Sequence, residues 1–447
     1  MLDCIKNKKK VLFLILKTWL NDSGGIFDFS NKSVSTFIAY LLNSNYVVRT
    51  KYNAYQNIQQ HADIDTENGD DLLFYANNAK EDTFILVNPL PLNLKPNEDN
   101  FTYINNKIWY ILNSEGIENM PNGNEDYYLN ENDIIKLGKI KYIVQKIHIL
   151  QNDNINNNEA APPKPAFEIY NISNSNKNTK SIFNLIYQVQ LYKNYHDINE
   201  KIQDDKIQDD KNKDEKEIIC DYCKNKNIMS DEDDGENFLI SICKCNNLYY
   251  HYKCLKNYFR QLMEIGEPDK KSFVKSYIFK NFECSYCKTP YPTKFKLAKM
   301  NKTFFLVDIF LPEDSNYLYL ESIDYKVNDI NYKSFHIVKL TKENKIIRIG
   351  RQDDNDIVDR DISMSRYHAI LNFDEETGKI CIKNISQKFG TLVLVKNPIN
   401  VLNKKIFLQV GRTYIEASLL DREEYEKKMK EKEESKVNDE KKDKPDK

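Results

Sequence analysis

The 447-residue chain carries 65 Lys and Arg against 67 Asp and Glu, a net charge of −2. A balance this close to zero excludes a general nucleic-acid binder, which needs a basic surface to displace the counterions around phosphates. Only 12 glycines exclude a collagen-like architecture, and at roughly 150 residues per domain the length points to about three domains.

Residues 1–60 read as a mixed α/β region. Lys6 and Lys8 to Lys10 precede an apolar run over 11–16, and Lys17 ends it. The run is far short of the roughly 20 residues that a bilayer helix needs, and no small-residue cleavage site follows it. It is expected as a buried strand or helix, with no transmembrane anchoring. Val34, Phe37, Ile38 and Leu41 then recur at a 3–4 spacing, which predicts a helix over 34–42. From 84 onward the pattern changes to short apolar runs at 84–87, 108–112, 134–137 and 140–144, split by Asn, Pro and Gly. These predict strands, the last two joined across Gly138-Lys139 as a hairpin, so 61–150 is expected as a β-rich domain.

Residues 151–215 read as a low-complexity linker. Asn154 to Asn158 is followed by Pro162, Pro163 and Pro165, and Lys201-Ile-Gln-Asp-Asp repeats from Lys206. A five-residue period fits neither helix nor strand. The tail 421–447 is charged throughout and is expected as disorder or as a frayed helix with Glu424, Lys428 and Lys432 in one i,i+4 register. Between these segments, 302–418 returns dense strand signals of the kind that build a β-sandwich.

Seven of the nine cysteines fall between Cys220 and Cys287. With one histidine they form four pairs: Cys220-x2-Cys223, Cys243-x-Cys245, His251-x2-Cys254 and Cys284-x2-Cys287. Short spacing inside a pair lets one turn deliver two ligands to one ion, and eight such groups suit two tetrahedral Zn²⁺ ions. An odd cysteine total without an export signal favours a reducing compartment, where clustered thiolates hold metal rather than form disulfides. The chain is therefore expected to be intracellular, cytoplasmic or nuclear.

This C4-His-C3 order, with one residue between the third and fourth cysteines, resembles the RING-CH (RING-variant) family. The block Cys243-Lys-Cys245-Asn-Asn-Leu-Tyr-Tyr-His251-Tyr-Lys-Cys254-Leu255 is similar to that family's middle segment, with Tyr258 where the family has Trp. The five residues between Cys245 and His251 are nearer the spacing of PHD fingers, which share the ligand order. The resemblance implies a cross-braced module over 216–295, in which Cys220, Cys223, His251 and Cys254 hold one zinc. Cys243, Cys245, Cys284 and Cys287 hold the other. It further implies a partner, a ubiquitin-conjugating enzyme, contacted through Tyr222 and Lys288.

A second constellation runs Ile349-Gly350-Arg351, then Ser363-Met-Ser365-Arg366-Tyr-His368, then Ser386-Gln-Lys388-Phe389-Gly390-Thr391. It resembles the forkhead-associated (FHA) domain, expected here over 300–420. A phosphate brings nearly two negative charges and three acceptor oxygens, so it calls for a fixed guanidinium and a hydroxyl on a rigid scaffold. Arg351 and Ser365 are the expected phosphothreonine ligands, with Arg366 and Lys388 as further cations. Gly350 and His368 are implied as scaffold, and Phe389 stands where many members place Asn. The segment 128–144 is similar to the closing hairpin of an FHA domain, though no Ser-Arg-x-His precedes it. That leaves a degenerate FHA-like sandwich or an unrelated small β domain.

The expected fold is multidomain and mainly β, with a small α+β zinc module at its centre and an FHA-like β-sandwich at its C-terminal end. The expected function is binding of a phosphothreonine-containing protein. Two outputs are open: a RING-type ubiquitin ligase, or a scaffold in which zinc only folds an interaction module. Nucleic acid is not an expected partner. No nucleophile–base pair or dinucleotide fingerprint is present.

Overall fold

In a computed structural model of the chain, the described residues are 10–19, 34–50, 55–58, 71–80, 83–88, 107–112, 127–150, 219–225, 238–245, 248–265, 273–297, 302–323, 325–327, 330–386, 388–402 and 404–431. They are mainly strand. The linker expected over 151–215 and the tail beyond 431 lie outside them. By internal contacts the chain divides into two units, residues 1–140, 151–171 and 345–447 against residues 141–150 and 172–344. The boundary after Asn344 falls inside the 300–420 span that the sequence reads as one domain.

The first unit opens with β1 (Lys10–Trp19), whose Val11, Leu12, Leu14 and Leu16 are fully buried. Its partner is β2 (Val34–Leu41), antiparallel from Leu12↔Leu41 to Trp19↔Val34. The helix expected over 34–42 is therefore a strand. Its apolar residues divide between two faces, with Ala39 and Leu41 buried and Ile38 exposed, because the β1 ladder satisfies the backbone and sets a period of two. The unit continues with β3 (Asn45–Arg49), β4 (Tyr55–Ile58), β5 (Asp71–Lys80), β6 (Thr83–Val87), β7 (Ile108–Ile111), β8 (Tyr127–Tyr128) and β9 (Ile134–Leu137).

After the Gly138-Lys139 turn comes β10 (Ile140–His148), which carries the chain into the second unit. That unit contains β11 (Leu239–Ile240), β12 (Tyr250–His251), α1 (Tyr252–Leu262), β13 (Met263–Ile265), β14 (Val274–Lys280), β15 (Lys294–Leu297), β16 (Lys302–Phe305), β17 (Tyr317–Ile323), β18 (Tyr325–Val327) and β19 (Ile330–Lys339). The chain then re-enters the first unit with β20 (Ile346–Gly350), β21 (Ile357–Val358), β22 (Ala369–Asp374), β23 (Lys379–Asn384), β24 (Thr391–Leu394), β25 (Ile399–Val401), β26 (Ile406–Val410), β27 (Thr413–Asp421) and the helix α2 over 422–431.

Within the first unit one sheet runs β9-β24-β7-β26-β27-β1-β2, a second β21-β20-β22-β23-β8, and a third β25-β6-β5-β3-β4. Within the second unit the order is β13-β14-β19-β17-β10, with β18 also on β19. These pairings repeat along the chain. In the N-terminal half β1 pairs β2, β3 pairs β5 and β5 pairs β6; in the C-terminal half β17 pairs β19, β20 pairs β22 and β22 pairs β23.

Then the partners cross. β6, β7 and β1 take β25, β26 and β27, whereas β23, β24 and β17 take β8, β9 and β10. Each half gives its last three strands to the other, an exchange of the kind that otherwise links separate protomers. The core of the first unit mixes both ends of the chain accordingly: Leu14, Phe74 and Phe84 pack in one cluster with Val401, Leu408 and Ile415.

In the second unit, β10 lies antiparallel to β17 with His148 opposite Tyr317, and the Leu150 N–H donates to Asn316 Oδ1 at 2.7 Å. The long spacer between Cys254 and Cys284 has a structural cause: it holds α1 and the pair β13–β14, and β14 lies along β19 from Val274↔Val338 to Lys280↔Tyr332. Helix α1 turns Tyr252, Leu255 and Phe259 inward at i, i+3 and i+7. There Tyr252 stacks on Phe238, and Phe259 meets Phe279, Phe282 and Tyr291. Asp308 clamps the outer face of the helix, accepting from Lys256 at 2.7 Å and from Arg260 at 2.7 Å.

Candidate metal clusters and phosphopeptide site

The eight pattern residues gather into two groups. Cys220, Cys223, His251 and Cys254 form one, and Cys243, Cys245, Cys284 and Cys287 the other, with one ligand atom from each residue within 4.8 Å of the rest of its group. The first and third pairs share a cluster, as do the second and fourth, so the two clusters interleave along the chain.

Two copies of one turn deliver four of the sulfurs. Cys220-Asp-Tyr-Cys223-Lys224-Asn225 and Cys284-Ser-Tyr-Cys287-Lys288-Thr289 share a Cys-x-Tyr-Cys-Lys pattern, a repetition that ligand spacing alone does not reveal. In each, the first Cys N–H donates to the carbonyl five residues on, Asn225 or Thr289, both at 2.9 Å. The Lys N–H returns to the first Cys carbonyl, at 2.8 Å in one copy and 3.0 Å in the other. Lys224 and Lys288 both sit in the left-handed region, at φ 60° and 57°. Such a turn folds both sulfurs of a pair onto one side.

The β11–β12 hairpin then brings His251 to the first turn. His251 also sits at the N-cap of α1, yet its ring makes no capping bond. Instead Nδ1 lies 3.2 Å from Cys223 Sγ and 3.8 Å from Cys254 Sγ. In the second cluster Cys245 Sγ and Cys284 Sγ stand 3.8 Å apart.

The donor set fits a metal ion. Burial first, and Cys223 and Cys220 next, push Cys254 up to about 12; burial first, with Cys287 and Cys284 against an opposing pull from Cys243, pushes Cys245 up to about 11, so a cation beside these sulfurs is what favours their ionised form. Cys287 differs. Burial acts upward there too, but its hydroxyl partner Thr289 at 3.2 Å and backbone donors outweigh burial and hold the thiol down at about 6. The His251 N–H points at Cys220 Sγ at 3.3 Å, a contact that favours a thiolate. Each cluster is thus a three-sulfur-plus-nitrogen or four-sulfur site of the type that takes one soft or borderline ion.

Tyr222, on the first turn, is exposed and meets Tyr258 edge-on at 6.3 Å between ring centres. Tyr286, its counterpart on the second turn, is more exposed still and was not singled out from sequence. Lys288 lies 3.8 Å from Glu283, so its ammonium is partly engaged.

The second site lies in the first unit, on the loops after β20, before β22 and after β23. Arg351 follows β20, and its N–H donates to the Ser365 carbonyl at 3.1 Å. Gly350 is required by space: a Cβ there would stand 2.2 Å from the Arg366 carbonyl oxygen. Its backbone is not left-handed, so its role in the scaffold is to allow the close approach of two loops.

Asn355, which stands in the same stretch of sequence between Arg351 and Ser363, ties those loops by donating from Nδ2 to the carbonyls of Gln352 and Arg366, both at 2.8 Å. His368 is fully buried. Its Nδ1 accepts the Ser365 N–H at 3.0 Å and its Nε2 faces the Gly390 carbonyl at 3.4 Å, a tautomer that only the neutral ring supports. Burial, against a smaller opposing pull from Gly390, holds its pKa down at about 4.

Ser365 Oγ lies 2.7 Å from Ser386 Oγ, and Ser386 in turn accepts the Phe389 N–H at 2.9 Å. Ser386 therefore joins the Ser365 loop to the loop carrying Lys388. Arg351 and Arg366 line one open charged depression together with Gln352, Asp353 and Arg360. Lys388 is outside that set, its ammonium over the Phe389 ring at 5.3 Å.

Residues 347–413 match the FHA domain family model. No curated protein and no solved structure matches the chain. The FHA domain is a phosphopeptide-binding module, and the match begins in β20, so β17 and β19 precede it. No described helix is long and apolar enough to cross a membrane.

Proposed function

We propose that this chain is a phosphothreonine reader carrying two zinc ions, with Cys220, Cys223, His251 and Cys254 around one and Cys243, Cys245, Cys284 and Cys287 around the other. The further output is ligase function: the metal module recruits a ubiquitin-conjugating enzyme at Tyr222, and the FHA domain supplies phosphorylated clients. The interleaving of the two sulfur-rich clusters supports this reading most strongly, because it is the cross-brace of RING-type folds. In that role zinc supplies folding energy and holds the recruiting surface, while the chain itself forms no covalent intermediate. Exposed Tyr222, edge-on to the half-buried Tyr258, gives that surface an apolar contact.

At the reader site, Arg351 and Ser365 take the phosphate, Arg366 adds charge, and Lys388 approaches from the loop that Ser386 ties down. The N-terminal half, whose strand pairings repeat those of the FHA half, is read as a second FHA-like sandwich. One observation favours the scaffold alternative: Glu283 engages Lys288, the residue that would bridge ubiquitin and the conjugating enzyme.

Metal analysis of purified protein is expected to give two zinc per chain. Autoubiquitination over a panel of conjugating enzymes, with Tyr222→Ala as control, decides between the outputs: activity lost in the variant supports the ligase, and inactivity with every enzyme supports the scaffold. Titration of a binding phosphothreonine peptide is expected to lose at least tenfold in affinity in Arg351→Ala. Unchanged affinity would remove Arg351 from the site.

A further inference from the structure

The depression beside Ser365 holds more positive charge than one phosphate uses. Arg351, Arg360 and Arg366 all line it, and Asp353 is the one carboxylate among its lining residues. Three other carboxylates on these loops have partners of their own. Asp354 accepts the Tyr367 hydroxyl at 2.7 Å, Asp356 the Arg348 N–H at 2.6 Å, and Asp361 the Ser363 N–H at 2.7 Å.

Asp353 faces a pocket guanidinium, with Oδ1 3.1 Å from Arg360 Nη2. Both partners are largely exposed, Arg360 at 81% and Asp353 at 64%. An ion pair so open to water contributes little, so another anion displaces it at little cost. A guanidinium fork donates two parallel bonds to a carboxylate or a phosphate, which makes Arg360 a selective donor rather than a diffuse charge.

We propose that Arg360 is a specificity residue that takes a second anionic group of the bound phosphopeptide, displacing Asp353. This rests on the reading of Arg351 and Ser365 as the phosphothreonine ligands. The shared chemistry is a planar or tetrahedral oxyanion, from an Asp or Glu side chain or from a second phosphorylated residue. Asp353 sharpens the choice: with no second anion it stays on Arg360 and presents negative charge to the peptide, so neutral sequences meet repulsion.

The test uses the full chain and synthetic phosphothreonine peptides in which one Asp, or one further phosphothreonine, is moved through the flanking positions of an otherwise neutral sequence. The expected result is one position at which the added anion strengthens binding at least tenfold over the neutral peptide. That ratio is expected to fall toward one in Arg360→Gln and to shrink in Asp353→Asn through tighter binding of the neutral peptide. A gain with Asp assigns a carboxylate, and a gain with the second phosphothreonine alone assigns a phosphate. Binding of every peptide with equal strength, or a ratio that survives Arg360→Gln, overturns the role of Arg360 and leaves the phosphothreonine site standing. Absence of any phosphorylation-dependent binding overturns both.

Discussion

Gly138 presses against Ser363. A Cβ on Gly138 would lie 2.2 Å from the Ser363 carbonyl oxygen, and the next residue, Lys139, donates its N–H to Ser363 Oγ at 2.8 Å. Ser363 is two residues before Ser365, so a turn from the N-terminal half of the chain shapes the loop that carries Ser365. Gly138 is also left-handed, at φ +65°. Gly138→Ala therefore carries two penalties, about 1–2 kcal/mol from the backbone alone and more from displacing Ser363. Urea denaturation is expected to show that loss. Peptide titration of the folded variant is expected to show weaker phosphothreonine binding, and an unchanged affinity would disconnect the turn from the site.

The strand exchange makes the FHA segment dependent on distant sequence. β23 and β24 end beside β8 and β9, both contributed from before residue 140. A fragment of 300–447 leaves those edges bare, and β26 and β27 lose β7 and β1. Bare edges of this kind associate or fail to fold. Expressed alone, that fragment is expected to be aggregated or unstructured by size exclusion and circular dichroism. A monomeric, dispersed fragment that binds phosphopeptide at full strength would show that the exchanged strands are dispensable.

The metal clusters were legible because their chemistry is local. A cysteine pair two residues apart needs only one turn, and the Arg351, Ser365 and His368 spacings likewise reflect neighbouring loops. Strand partners carry no such mark. Nothing in the 134–144 hairpin states which sheet it completes, and the 300–420 reading assumed that neighbours in sequence pair in space. Residues 34–42 failed for a related reason: a 3–4 apolar spacing is compatible with a strand when an edge such as β1 takes up its backbone bonds. Arg360 escaped notice because the role proposed for it depends on which loop stands opposite.

Metal removal tests the second unit. The described core around Cys220, Cys243 and Cys284 is built from the same aromatic residues that pack α1 against β14 and β19. Loss of the ions should therefore release more than two short turns. Chelation of the purified protein is expected to lower its melting temperature and abolish the near-ultraviolet dichroism of its packed tyrosines. Cys243→Ala is expected to reduce bound metal by at least one ion per chain. An intact fold after complete metal removal would reduce the clusters to buried thiols without a structural ion.

Acid should weaken the fold in a defined window. Burial holds His368 and His336 down at about 4, against an ordinary value of 6.5. Their ring nitrogens have assigned work: His368 Nδ1 accepts the Ser365 N–H, and His336 Nδ1 lies 2.8 Å from Ser276 Oγ. Above pH 6.5 both rings are neutral whether the chain is folded or unfolded, and their contribution is constant. Between 6.5 and 4 the unfolded chain takes up protons that the folded chain refuses, so stability falls as pH falls and levels off below about 4. A tenfold difference in proton affinity is worth about 1.4 kcal/mol, so each histidine accounts for a loss of up to about 3 kcal/mol. Urea midpoints measured without peptide at pH 7.5, 6 and 5 are expected to decline in step. Imidazole proton resonances of the folded protein should stay fixed over the same range for these two residues. A titration of either ring near pH 6.5 in the folded protein would mean that it is open to water and that its bonds do not hold the loop.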